Sequence, residues 1–230
     1  MNEFMNDFVG VISNPAQTIA RVMSGKRWQA ALALILLVTA VCTFVTFPIT
    51  KAEQAKFIRD SEMASKLSDE QLANLDKFTP AGRVMGALYS AVFAALMIVL
   101  AAFFIYLFFK VAGAEGNYVH YFSGVAHASI LDMLLGGVLK ATLILLKKTM
   151  MVHTGLTLFF PGLDFRSLSF IVLSQFDFFS LWYLAALALG IAVFARISPR
   201  RSIFITVLYF LFKCLVLVSF SYLTMKMMGM

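Results

Sequence analysis

Long charge-free apolar runs alternate with short polar segments along this chain. Residues 28–50, from Trp28 to Thr50, hold no charged side chain over 23 residues, against the roughly 20 a helix needs to cross a bilayer. Lys26 and Arg27 stand before that run and Pro48 lies at its far end. A second charge-free run covers 84–109. The third, about 122–146, breaks the pattern by carrying His127, Asp132 and Lys140 together with Gly124, Gly136 and Gly137. A fourth covers 178–195, and a fifth, about 203–225, holds Lys213 near its centre. The pattern predicts an all-α integral membrane protein, a bundle of five transmembrane helices over residues 28–230.

The polar segments predict the rest. Within 1–27, Phe4, Phe8, Val11 and Ile12 recur at helical spacing, as in a short interfacial helix lying on the membrane surface. Asn14 followed by Pro15 reads as a cap and first position of a second helix toward Ser24. Residues 51–83 set six acids against six bases and form a solvated helical loop, in which Ser68 to Gln71 fits a capping box. The aromatic stretch 149–169, interrupted by Pro161-Gly162, belongs at the interface or re-enters shallowly.

Composition strengthens this picture. Hydrophobic residues make up 61% of the 230 and charged ones 13%, about half the usual charged share, and mean hydropathy is +0.87. One soluble core of this size cannot hide that much apolar surface. A disordered chain, a disulfide-stapled module and an ordinary cytosolic enzyme are excluded. The net charge of +7 is spread between apolar runs, which reads as membrane topology rather than nucleic-acid binding. Arg21, Lys26, Arg27, Arg196, Arg200 and Arg201 fall on one side of a five-span chain, close to the spans. Although the opposite loops hold more bases in total, these dense clusters point to a cytoplasmic N-terminus and an outer C-terminus. Cys42 and Cys214 lie inside apolar runs and read as small hydrophobes.

Candidate chemistry is confined to the membrane. No H-E-x-x-H, G-x-S-x-G or phosphate-loop motif occurs, and the three histidines are too dispersed for a metal cluster. No enzyme activity, cofactor or metal is expected. A charge near the bilayer centre costs roughly 2.5–3.5 kcal/mol, so it needs a partner or water. Asp132 and Lys213 each lie about ten residues, roughly 15 Å, into helices that run parallel in a five-span chain. The expectation is a direct or water-bridged pair that sets helix register, with a polar pathway through His127 and Lys140 as the alternative. Lys147, Lys148, Arg196, Arg200 and Arg201 are candidate contacts for lipid headgroups. Gly82, Gly86 and Ser90, four apart, form with Gly136 and Gly190 a set of candidate helix-packing positions.

Val11-Ile12-Ser13-Asn14-Pro15 through Thr18-Ile19, with Trp28 behind, resembles the start of prokaryotic Yip-domain proteins. Tyr121-Phe122-Ser123 through Ala128-Ser129-Ile130 resembles that family's entry into its third span. The strongest match runs from Asp177-Phe178-Phe179-Ser180-Leu181-Trp182 through Leu189-Gly190 and Ile197-Ser198 to Arg200-Arg201. Where the family usually has a proline in the third span, this chain has Ile130-Leu131-Asp132. The resemblance implies a bacterial inner-membrane, non-enzymatic scaffold or adaptor that organises membrane proteins or lipids, or itself. A small transporter or channel through the third and fifth spans is the alternative. The longer N-terminal region of eukaryotic members is missing, so no GTPase partner carries over.

Overall fold

The computed structural model describes residues 3–75, 77, 79–164 and 167–227. It is helical throughout, with no strand among the described residues beyond one isolated bridge. Four helices are long and apolar enough to cross a membrane: α3 (Gln29–Arg59), α5 (Pro80–Val111), a continuous third helix (Tyr118–Lys147) and α10 (Pro199–Met227). The third helix consists of α6 (Tyr118–Ser129), a π-helical turn (Ile130–Gly136) and α7 (Gly137–Lys147). A fifth apolar helix, α9 (Phe178–Phe194), is shorter at 17 residues. Short helices α1 (Glu3–Ser13), α2 (Pro15–Gly25), α4 (Asp69–Asn74) and α8 (Leu168–Ser174) complete the chain.

α5 buries one stripe and turns the rest outward, as expected where lipid replaces water as the surrounding medium, whereas the third helix is buried on all faces from Tyr121 to Leu131. On α5 the stripe is Ala87, Ala94, Ile98, Ala102, Ile105 and Phe109, while Val84, Leu88, Val92 and Leu96 face out. A Cβ on Gly86 would lie 2.8 Å from the Phe47 ring of α3. Gly86 therefore sits where α3 and α5 approach. Ser90 instead returns its hydroxyl to the Ala87 carbonyl. Gly82 is not a packing position: its N–H is bound by the Thr79 hydroxyl, which caps α5. Gly82 lies in a helix-starting turn, which a four-residue spacing cannot distinguish from a seam.

The Pro48 ring removes the N–H that would have served the Phe44 carbonyl. Arg83 of α5 fills that gap, donating from Nε to Phe44 O at 2.6 Å with its guanidinium 4.0 Å over the Phe44 ring. The proline thereby creates an acceptor that ties α3 to α5. α3 also runs on to Arg59, farther into the polar segment than the charge pattern suggests, before the capping box at Ser68 opens α4.

The N-terminal pair differs most from expectation. α1 keeps an outward apolar face of Met5, Val9 and Ile12, which suits a membrane surface. Its opposite face, however, buries Asp7 and Val11. α2 packs chiefly against α9 and α6 and places Ile19, Val22 and Met23 fully in the core. A Cβ on Gly190 of α9 would meet Ile19 at 2.4 Å, and one on Gly124 of α6 would meet Met23 at 2.8 Å. Small residues on two helices thus make the slot for α2, which is a docked element of the bundle. Asp7 takes Arg21 at 2.8 Å and Arg27 at 3.5 Å, closing the α1–α2 hairpin.

Candidate functional site

Asp132 and Lys140 of the third helix are held by α9 and the loop before it. Asp177 caps α9, accepting from the backbone N–H groups of Phe179 at 3.0 Å and Ser180 at 3.3 Å. It also receives the Thr154 hydroxyl and, at 3.1 Å, the Lys140 ammonium. Burial pushes the Asp177 carboxyl up, but Thr154, Lys140 and the Ser180 N–H outweigh it and hold the group below its usual range. The chain before α9 is pinned by backbone bonds from Leu156 to Phe176 O at 3.1 Å and from Phe178 to Thr154 O at 3.2 Å. Gly155 is needed there because a Cβ would stand 2.4 Å from Phe176 O.

Asp132 lies in the π-helical turn and accepts the Ser180 hydroxyl at 3.0 Å. It makes no bond with Lys213. The two do face one cavity of about 430 Å³, bounded by α5, the third helix, α9 and α10. Equal depth along two helices does not make a pair: helix rotation, which depth does not constrain, leaves the cavity between Asp132 and Lys213. Phe104 and Phe212 pack beside it with ring centroids 5.1 Å apart. Met97, Leu100 and Val216 form part of the lining and are also exposed on the bundle's outer surface, so the cavity opens sideways. These residues lie midway along α5 and α10.

A family model for the Yip1 domain matches residues 9–221. The chain belongs to the Yip1-domain family. No curated protein and no solved structure matches it. The match begins within α1 and runs through α2 and α9 into α10, so the docked α2 is part of the domain in this chain.

The other positions singled out in this Yip1-domain chain do not join one site. His127 is buried on α6, its Nδ1 3.0 Å from Ser123 O, within electrostatic reach of Asp7, Arg27 and Arg21. It faces the N-terminal hairpin rather than Lys140. Lys147 and Lys148 end α7, where the next residues meet α3 through Glu53 and the Met150 N–H. Arg200 and Arg201 open α10, where Arg201 donates to Ala112 O at the end of α5. Arg196 precedes them with left-handed backbone. The basic residues therefore form two groups, one at the end of α7 and one at the start of α10. Gly136 lets Phe179 of α9 approach to 2.9 Å of its missing Cβ. Among the described residues no group of three His, Cys, Asp or Glu side chains stands close enough to hold a metal.

Asp177, Thr154 and Ser180 were absent from the sequence-derived set. One signal was available: an aspartate directly before Phe178-Phe179-Ser180 and an apolar run is an N-cap pattern. Tyr183 and Tyr209, which also line the cavity, carry no sequence signature that separates them from ordinary span aromatics.

Proposed function

We propose that this Yip1-domain protein is a non-enzymatic, five-span membrane adaptor that organises neighbouring proteins or lipids in a bacterial inner membrane. The observation that supports this reading is the use of polar groups in and beside the spans as ties between elements. Lys140 binds Asp177, Asp132 binds Ser180, and Ser202 of α10 binds Ala188 O of α9 at 2.6 Å. Polar groups spent in this way give the bundle a defined shape rather than a conduit. With α9 as a fifth crossing, Arg21, Lys26, Arg27, Lys110, Arg196, Arg200 and Arg201 fall together on the cytoplasmic side. The C-terminus and residues 51–83 then lie outside.

A small transporter is the second reading, favoured by the cavity that Asp132 and Lys213 share. Two experiments separate the readings. Photo-crosslinkers at outward positions Val92, Phe103 and Leu215 in native membranes should yield discrete protein adducts from an adaptor. Proteoliposomes should show no ion or proton flux above empty vesicles. A flux that Asp132→Asn abolishes, with only lipid adducts at the three positions, would overturn the adaptor reading. External cysteine labelling should reach residues 55–75; labelling only from the cytoplasm would reverse the orientation.

A further inference from the structure

We infer that the lateral cavity between α5 and α10 is a binding site for a lipid with a small, uncharged, hydroxyl-bearing headgroup, such as a diacylglycerol. The inference deepens the adaptor reading by naming a lipid the bundle would hold.

Five polar side chains line a chamber that is otherwise apolar; the Ser129 hydroxyl is already given to Val125 O, which leaves four to meet an occupant. Lys213 comes from α10, as does Tyr209; Tyr183 comes from α9 and Asp132 from the π-helical turn. Among the described residues, neither tyrosine hydroxyl nor the Lys213 ammonium has a hydrogen-bond partner, and Asp132 has only Ser180. In the bilayer core such groups are costly to leave unmet. An occupant that satisfies them therefore gains more than one packed against apolar wall alone.

The charges choose the headgroup. One acid and one base face the cavity, so its formal charge is balanced and a ligand need bring none. A hydroxyl both donates and accepts, which lets one small head donate to Asp132 and accept from Lys213 or a tyrosine. A phosphate or choline head would have to leave the interface and carry its charge to the middle of α5 and α10, at a large desolvation cost. An uncharged glyceride avoids that cost. The side opening past Met97, Leu100 and Val216 admits it from the bilayer, while Phe104 and Phe212 offer apolar surface to its chains.

The test uses the full chain in nanodiscs with two photo-activatable probes of equal chain length, a diacylglycerol and a phosphatidylglycerol. The diacylglycerol should label peptides containing residues 97–104 and 209–217. Excess unlabelled dioleoylglycerol should reduce that labelling at least fivefold. Ala101→Phe, which fills the chamber from an α5 wall position, should reduce it similarly while the melting profile stays that of a folded protein. Tyr209→Phe is a second, milder variant that removes one hydroxyl and should lower labelling about two- to fivefold. If Ala101→Phe fails to fold, Tyr209→Phe and the competition decide the matter. Equal labelling by both probes, or labelling insensitive to competitor and to the folded variants, would mean ordinary annular lipid and overturn the site. Adaptor function is read separately from the protein adducts at Val92, Phe103 and Leu215, so either idea can fail alone.

Discussion

Replacing Gly190 by alanine tests whether α2 is truly seated between α6 and α9. The added Cβ would fall 2.4 Å from Ile19 Cγ2 and 2.5 Å from Ile19 Cβ. Ordinary carbon contacts are about 3.5–4.0 Å, so α2 must withdraw by roughly 1–1.5 Å. Ile19 is fully buried and cannot swing aside. Overpacking of this kind costs about 1–3 kcal/mol. Gly137 provides the control, because it too is helical but a Cβ there meets nothing within 4 Å. Glycine to alanine in a helix otherwise gains about 0.5–1 kcal/mol, and comparing the two variants cancels that gain. Gly190→Ala should therefore be less stable than Gly137→Ala by about 1–3 kcal/mol in a detergent unfolding titration. Trp28 fluorescence is a suitable probe, since its ring meets Phe122 of α6 at 5.3 Å between centroids. Ile19→Gly, which removes both Cγ2 and Cβ, should shrink the Gly190→Ala penalty, and Ile19→Ala should do so only in part. Equal stability of the two alanine variants, or strict additivity with Ile19→Gly, would refute the docking argument.

The other expected outcomes concern ties between helices. Gly86→Leu should cost about 1–3 kcal/mol through its collision with Phe47, whereas Val99→Leu, on the exposed face, should change thermal stability little. Asp177→Asn should lower stability by about 1–3 kcal/mol at neutral pH, because ionised contacts are lost. Since the folded carboxyl is held below its usual value, its contribution is full above the unfolded value near 3.9. It is lost as pH falls through the lower folded value. The wild-type protein should therefore lose its advantage over Asp177→Asn on acidification below about pH 4, which melting curves at stepped pH would show. In a stability cycle, Asp132→Asn should couple more strongly with Ser180→Ala, its direct partner, than with Lys213→Met, which it faces only across the cavity. Strong coupling with Lys213 would restore the direct pair.

Spans were legible because lipid imposes a long uninterrupted apolar run: α5 and α10 contain those predicted from charge-free stretches, and α3 covers the first from its second residue onward. The long third helix was legible too, but its π-helical turn was not. That turn falls at Ile130-Leu131-Asp132, where the family resemblance led one to look for proline. Both devices interrupt the regular helical bonding, yet nothing in the composition of Ile-Leu-Asp announces it. The seating of α2 escaped for a different reason. Ile19, Val22 and Met23 form a helical stripe, and periodicity does not distinguish a protein groove from a lipid surface. The acids Glu3 and Asp7 opposite Arg21 and Arg27 were the available sign of a closed hairpin. The Lys140–Asp177 tie joins residues 37 apart across an irregular loop, a proximity that depth along a helix does not encode.

The slot for α2 also dictates an order of assembly. Ile19 leaves the ribosome before its wall at Gly190, which is made 171 residues later. At about 5–20 residues per second, that gap lasts roughly 9–34 s. During this interval Ile19, Val22 and Met23 have no α9 to cover them, and the outward face of α1 can hold the hairpin at the membrane surface. Closure of the N-terminus is then a late step in biogenesis, available only after α9 is inserted. A nascent chain arrested before α9 would expose the hairpin to protease, and one arrested after α10 would protect it.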